Sequence, residues 1–264
     1  MSDNNAVVIK GIAALRQKPR RSGELADEAL FGMKVAVLNE VEDWLLVETF
    51  YGYRGYVKKK DVSMQNHSFW EEQEKRIVIA SFADIQTQPK YAANTAITIP
   101  RGSCLVLTGN KQDKWIEVML PRGEKGWVRD EALLKKAARS GRELRQAIVQ
   151  TAMLYLNTQY RWGGKTPAGI DCSGLSSMAY LLNGIILPRD SEDQMNAMRK
   201  ISRKESKPGD LLFFPGHVAI YVGEDKFIHA TGTDAVVKIN SLNEDSKLYR
   251  EDLDQKYICS CTVF

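Results

Sequence analysis

The first half of the chain repeats itself weakly at an offset of 70 to 71 residues, and this limits the fold more than any other feature. Leu15-Arg16-Gln17-Lys18-Pro19 echoes Ile85-Gln86-Thr87-Gln88-Pro89, the run around Trp44 echoes the run around Trp115, and Gly55-Tyr56-Val57 echoes Gly126-Trp127-Val128. A fixed period of this kind marks two copies of one small unit. Each copy holds short β-rich runs, such as Val35-Ala36-Val37-Leu38 and Trp44-Leu45-Leu46-Val47, split by polar turns. Such runs predict small all-β barrels, one over residues 1–65 and one over 75–135, with 63–76 connecting them.

The pattern changes near residues 135–141, a basic, Ala-containing linker. Leu144, Ile148, Ala152 and Tyr155 recur at helical spacing and predict a helix ending near Asn157. After the glycine-rich loop Trp162-Gly163-Gly164, a second helix is expected from about Ser173 to Leu182, with Gly184 placed to cap it. Strands are expected at 211–214, 217–222, 226–230, 236–239 and 257–264. Helices followed by an antiparallel sheet give an α+β domain over 140–264.

Cys172 sits in the first turn of that second helix, where the dipole and unpaired N–H groups favour negative charge and are expected to lower its thiol pKa. A base is available at His217, which opens a strand. If Gly223-Glu224-Asp225 turns the chain, Val222 faces Lys226 and Ala219 faces His229. His217 and His229 then share a sheet face as diagonal neighbours, roughly 7 Å apart at Cβ. One imidazole takes the thiol proton and the second fixes the tautomer of the first. The remaining histidine, His67, lies in the connector.

The first half resembles tandem bacterial SH3-like domains, in which a Gly-aromatic-Val strand follows a Trp-containing strand. In the second half, Tyr160-Arg161-Trp162-Gly163-Gly164, Asp171-Cys172-Ser173-Gly174-Leu175, Leu187-Pro188-Arg189-Asp190, Pro208-Gly209-Asp210-Leu211, Gly216-His217-Val218-Ala219-Ile220-Tyr221 and Phe227-Ile228-His229-Ala230 resemble the NlpC-type cell-wall cysteine peptidases. The resemblance covers about residues 140–264. It implies a papain-like core with Cys172 as nucleophile, His217 as base, His229 as third member and Tyr160 as a phenolic donor near the oxyanion. It also implies cleavage between γ-D-glutamate and the diamino acid of murein stem peptides. With two SH3-like domains in front, the chain is similar to recycling enzymes that require a free N-terminal L-alanine and release L-Ala-γ-D-Glu. A peptide such as L-Ala-γ-D-Glu-diaminopimelate is therefore the expected partner. Asp190 is the candidate for the free amine, Asp171 and Ser173 for the D-glutamyl group, and Trp162 for the substrate side of the glycine-rich loop. In the first repeat Tyr53 is the candidate wall residue, with Glu24 or Glu28, in a polar loop before Phe31, as a second carboxylate.

The charge pattern excludes other classes. A net charge of +4 with interspersed signs leaves no nucleic-acid footprint, and no run of about 20 apolar residues predicts a membrane span. Four cysteines make no disulfide framework, and no metal or cofactor is implied. Cys259 and Cys261 alternate onto one strand face as buried residues. The first ten residues lack a secretory pattern, so a cytoplasmic location is expected if Met1 is the native start, and the cell envelope if a leader has been removed. Two alternatives compete: an extracellular hydrolase acting on intact peptidoglycan, and a non-catalytic module that docks wall peptides.

Overall fold

The computed structural model describes residues 4–64, 70, 72–135 and 139–264. The chain divides into two compact units, Met1–Lys136 and Ala137–Phe264. In the first unit, β1 (Asn5–Val8), β2 (Ile12–Arg16), β3 (Leu25–Leu30), β4 (Lys34–Val41), β5 (Trp44–Thr49), β6 (Arg54–Lys58) and β7 (Val62–Ser63) form one sheet in the order β3-β2-β6-β5-β4-β1-β7. A second sheet holds β8 (Lys75–Ile77), β9 (Phe82–Gln86), β10 (Thr95–Pro100), β11 (Cys104–Gln112), β12 (Trp115–Met119) and β13 (Lys125–Arg129), in the order β10-β9-β13-β12-β11-β8. The six strands from β3 to β1 follow the same order as the six from β10 to β8, and β7 adds an edge strand to the first sheet alone.

The repeat persists at the level of single residues. Leu15, Leu45, Val47 and Val57 are buried in the first sheet, and Ile85, Ile116, Val118 and Val128 are buried at the equivalent places of the second. Even a backbone rarity recurs: Glu42 and Asp113, 71 positions apart, both take left-handed conformations (φ 50° and 51°) in the turn before the Trp strand. These two turns close hairpins whose strands carry the core side chains.

The connector is shorter than the sequence suggests, because Ser63 belongs to β7 and Lys75 and Arg76 belong to β8. Both segments find open sheet edges, β7 beside β1 and β8 beside β11. Trp70 is buried between the sheets, packed on Val7, Val106 and Met119, with its indole Nε1–H donating to the Gly32 carbonyl at 3.0 Å. Gly32 itself (φ 78°) lies so close to the second repeat that a Cβ there would sit 2.2 Å from the Cys104 carbonyl oxygen. The neighbouring Cys104 N–H donates to the Phe31 carbonyl at 2.8 Å. His67 and residues 136–138 of the linker lie outside the described residues.

The second unit begins with α1 (Gly141–Met153), a hairpin of β14 (Lys165–Thr166) and β15 (Gly169–Ile170), α2 (Cys172–Leu181) and α3 (Ser191–Ala197). Then follow β16 (Arg199–Ile201), β17 (Leu211–Phe214), β18 (His217–Gly223), β19 (Lys226–Thr231), β20 (Val236–Ser241), the single turn α4 (Glu251–Asp254) and β21 (Cys259–Thr262). The sheet order is β16-β21-β17-β18-β19-β20, antiparallel throughout. The helix expected to reach Asn157 ends at Met153; Leu154–Leu156 continue as turns, and Asn157 is left-handed (φ 63°). Leu175, Met178 and Ala179 bury the apolar stripe of α2, which packs against β18. An ion pair between half-buried Arg145 and buried Asp210, at 2.8 Å, ties α1 to the start of β17.

The β18–β19 hairpin departs from the expected pairing at its tip. Gly223, not Val222, pairs with Lys226, and the turn is the two-residue type with both Glu224 and Asp225 left-handed (φ 54° each). A bulge at Val222 absorbs the extra residue. Beyond it the Ile220↔Ile228 and Tyr221↔Phe227 pairs restore the register that sets Ala219 beside His229. The diagonal relation of His217 and His229 therefore survives the different turn.

Candidate active site

Cys172 is the first residue of α2 because Asp171 caps that helix. The Asp171 carboxylate accepts from the Gly174 N–H at 2.6 Å, closing the first turn. The Gly163 N–H and a bidentate Arg189 guanidinium also bind that carboxylate, at 2.8 Å for Gly163 and at 3.0 and 2.8 Å for Arg189. The Ser173 hydroxyl adds a longer bond at 3.3 Å and itself accepts from Arg189 at 2.9 Å. Glycine is required at 174, where a Cβ would sit 2.3 Å from the Gly164 carbonyl oxygen. The glycine-rich loop is thus pressed onto the helix end that carries the sulfur.

This arrangement revises the part expected of Asp171. Its oxygens are occupied by Gly163, Gly174, Ser173 and Arg189, so its carboxylate holds Cys172 in place rather than meeting the substrate. Ser173 is buried in the same network. Arg189, which the sequence offers only as part of the Leu187-Pro188-Arg189-Asp190 motif, and Gln194, which carries no sequence signal, are structural members of this network. Gln194 is fully buried and bonds the Ser173 and Pro188 carbonyls and the Ser176 and Ser177 hydroxyls, locking α3 to α2.

The backbone N–H groups of Val218 and Ser173 point at the Cys172 sulfur, so the thiol lies beside the start of β18, one residue from His217. The Nε2 of His217 is 2.8 Å from the Nδ1 of His229, and the Nε2 of His229 is 3.0 Å from the Oδ1 of Asn240. The three residues run diagonally across β18, β19 and β20. Asn240 pairs with Phe227, two residues from His229 on the same face. Phe214 and Phe227 flank the imidazoles, their ring centroids 5.9 Å from His217 and 4.9 Å from His229 respectively.

Burial governs the protonation of these groups. The rings around His217 lower its pKa to about 3, with the nearby charges of His229 and Arg250 acting in the same sense. Burial likewise lowers His229 to about 4, against the opposing bond to Asn240. Cys172 keeps some surface open to solvent, yet the protein packed around it and the Asp171 carboxylate push its thiol up to about 11. The Val218 and Ser173 N–H groups and Arg189 pull the other way without prevailing. The N–H groups at the helix end lower the thiol pKa, the sense the sequence leads one to expect, but burial and Asp171 outweigh them.

Tyr160 is half-buried near Cys172, and burial together with the Cys172 and Asp171 charges raises its pKa to about 12, so its hydroxyl keeps a proton to donate. Asp190 is exposed at the N-terminus of α3 and its side chain does not cap that helix. Trp162 is exposed on the glycine-rich loop. Tyr53, Glu24 and Glu28 belong to the first unit. Tyr53 lies in the β5–β6 turn, its N–H donating to the Thr49 hydroxyl at 3.0 Å. Glu28 is not in a loop but buried in β3 opposite Ala14, while Glu24 is exposed just before that strand. Among the described residues no cluster of metal-ligating side chains occurs, and no helix is long and apolar enough to cross a membrane.

A helix-borne thiol set against an antiparallel sheet that supplies a histidine pair defines a cysteine peptidase of papain-like layout. Comparison with known proteins narrows the class. The NlpC/P60 family profile matches residues 157–253, and a bacterial SH3 domain profile matches residues 11–63. A dipeptidyl-peptidase 6 from Lysinibacillus sphaericus is 42% identical over 259 residues, covering 94% of this chain and 96% of that one. A gamma-D-glutamyl-L-lysine dipeptidyl-peptidase from Bacillus subtilis (strain 168) is 28% identical, covering 86% of this chain and 78% of its own. The crystal structure of an NlpC/P60 family protein from Bacillus cereus ATCC 10987 superposes with a TM-score of 0.83, covering 97% of this chain and 98% of that one, at 22% identity; it shows the shared fold. The chain belongs to the NlpC/P60 family.

Proposed function

We propose that the protein hydrolyses the γ-D-Glu–diamino acid bond of murein-derived peptides carrying a free N-terminal L-alanine, releasing L-Ala-γ-D-Glu. The observation that carries this reading is the Cys172 sulfur beside the Val218 N–H, one residue from a His217 that is hydrogen-bonded to His229. The matched relatives named for dipeptidyl-peptidase activity support the substrate class.

In this reading the Cys172 sulfur attacks the γ-carbonyl carbon of the D-glutamyl residue as its proton passes to His217. The Tyr160 hydroxyl donates to the oxyanion that forms. Collapse breaks the C–N bond, and His217 returns the proton to the departing amine of the diamino acid. Water then attacks the thioester, gives its proton to His217, and frees the dipeptide as the sulfur recovers a proton. Asp190 binds the substrate ammonium, and Trp162 lines the glutamyl side.

N-acetylation removes the ammonium and leaves the Asp190 carboxylate facing a neutral amide. Assaying L-Ala-γ-D-Glu-diaminopimelate against its N-acetyl form is expected to show a kcat/KM lower by about 5-fold for the blocked peptide, the loss of an exposed ion pair worth about 1 kcal/mol. Equal cleavage of both, or of intact peptidoglycan, overturns the requirement for a free amine.

A further inference from the structure

We propose that Asn240 is a positioning residue that sets the tautomers of both histidines and so leaves the Nδ1 of His217 bare for the thiol proton. The inference rests on the catalytic reading above but starts from a carbonyl outside the site. The Leu248 carbonyl can only accept. It takes the Ser241 N–H at 2.8 Å and the Asn240 Nδ2–H at 3.1 Å. The amide of Asn240 is therefore oriented with its NH₂ towards Leu248 and its Oδ1 towards His229.

The remaining assignments follow in order. Oδ1 also only accepts, so the Nε2 of His229, 3.0 Å away, carries a hydrogen. A neutral His229 then has an unprotonated Nδ1, and this nitrogen lies 2.8 Å from the Nε2 of His217. The bond between them requires hydrogen on the Nε2 of His217. Its other ring nitrogen, Nδ1, is then the only one left to act as a base towards Cys172. Asn240 and His229 are buried, so water does not compete for these bonds and the polarity of the row is held.

A leucine at position 240 keeps the volume and removes the acceptor. The Nε2–H of His229 then loses the acceptor that held it there, which frees the hydrogen to move to Nδ1. From there it donates to the Nε2 of His217, which places the His217 hydrogen on Nδ1, where it faces the thiol as a donor. Aspartate at 240 still accepts from His229, and its negative charge favours the imidazolium. The charged groups already around the pair are Arg250, Asp252, Asp234 and Lys238. Aspartate adds to the acidic side of that balance and should move the acid limb of kcat/KM to higher pH.

The test is nitrogen-15 NMR of the histidine rings in the full-length protein, with kinetics on L-Ala-γ-D-Glu-diaminopimelate beside it. Wild type is expected to show both His217 and His229 as Nε2–H tautomers. Asn240→Leu is expected to convert His217 to Nδ1–H and to lower kcat at least tenfold with KM little changed. Asn240→Asp should restore kcat to within severalfold of wild type at the top of a pH profile whose acid limb has moved upward. An Nδ1–H tautomer at His217 in wild type overturns the proposal, as does an Asn240→Leu protein that keeps the wild-type tautomer and kcat. If Asn240→Leu does not fold, the wild-type spectrum and the Asn240→Asp profile still decide. Because the tautomers are read without substrate, failure here is distinct from failure of the peptidase assignment, which Cys172→Ala tests separately.

Discussion

Protonating His217 means placing a charge among Phe214, Phe227 and a second imidazole, and that cost shapes behaviour at the residue scale. Both histidines have folded pKa values near 3 to 4 against an ordinary value of 6.5. Between those limits the unfolded chain binds protons that the folded one refuses, so stability falls as pH drops below about 6.5. The urea midpoint should decline from pH 6.5 to pH 4, and His217→Gln should flatten that slope; a midpoint independent of pH contradicts the burial argument. The thiol makes a second prediction. With a pKa near 11, alkylation of Cys172 by iodoacetamide in the substrate-free enzyme, followed by peptide mass spectrometry, should still be rising above pH 9. A plateau near neutrality would mean a thiolate already formed at rest. The pairing of His217 with His229 was legible in the sequence through strand alternation, although the turn counted there lacked the bulge that keeps the register. The raised thiol pKa was not, because burial depends on what the rest of the chain packs around the sulfur.

At the scale of elements, the N-terminus of α2 depends on one carboxylate shared among a cap, a loop and an arginine. Arg189→Leu leaves the Asp171 charge buried with only the Gly163 and Gly174 N–H groups and the Ser173 hydroxyl, and should cost about 3–5 kcal/mol in the urea unfolding free energy of the second unit. A loss under about 1 kcal/mol would show the pair to be dispensable. The β18–β19 turn offers a change of opposite sign. Glu224 and Asp225 hold left-handed backbone conformations that favour asparagine and glycine, and the exposed Glu224–Lys226 pair contributes little. Glu224→Gly should raise stability by about 0.5–1 kcal/mol. The sequence placed a turn here but missed its bulge, since Val222 reads as an ordinary strand residue. Asn240 escaped notice for a related reason: an asparagine among Val237, Lys238 and Ile239 gives no chemical signal until strand pairing sets it beside a histidine.

Across the whole molecule, the duplication of the first unit was readable from an echo of 70 to 71 residues, while the shared strand order, core positions and left-handed turn residue emerge in the fold. What joins them was not. Trp70 falls in a stretch with no periodic pattern, and its burial against Val7 and Val106 comes from both repeats at once. Trp70→Ala should destabilise the first unit by about 3–5 kcal/mol through the cavity it leaves, measured by denaturant unfolding. An unchanged midpoint would show that the repeats hold together without it.

Release of L-Ala-γ-D-Glu from L-Ala-γ-D-Glu-diaminopimelate, followed by mass spectrometry for wild type and Cys172→Ala, bears most directly on the central claim. Wild type should release the dipeptide, and Cys172→Ala, with an unchanged circular dichroism spectrum, should be slower by at least about 1,000-fold. Turnover by Cys172→Ala at the wild-type rate would contradict the assignment of that sulfur as the nucleophile.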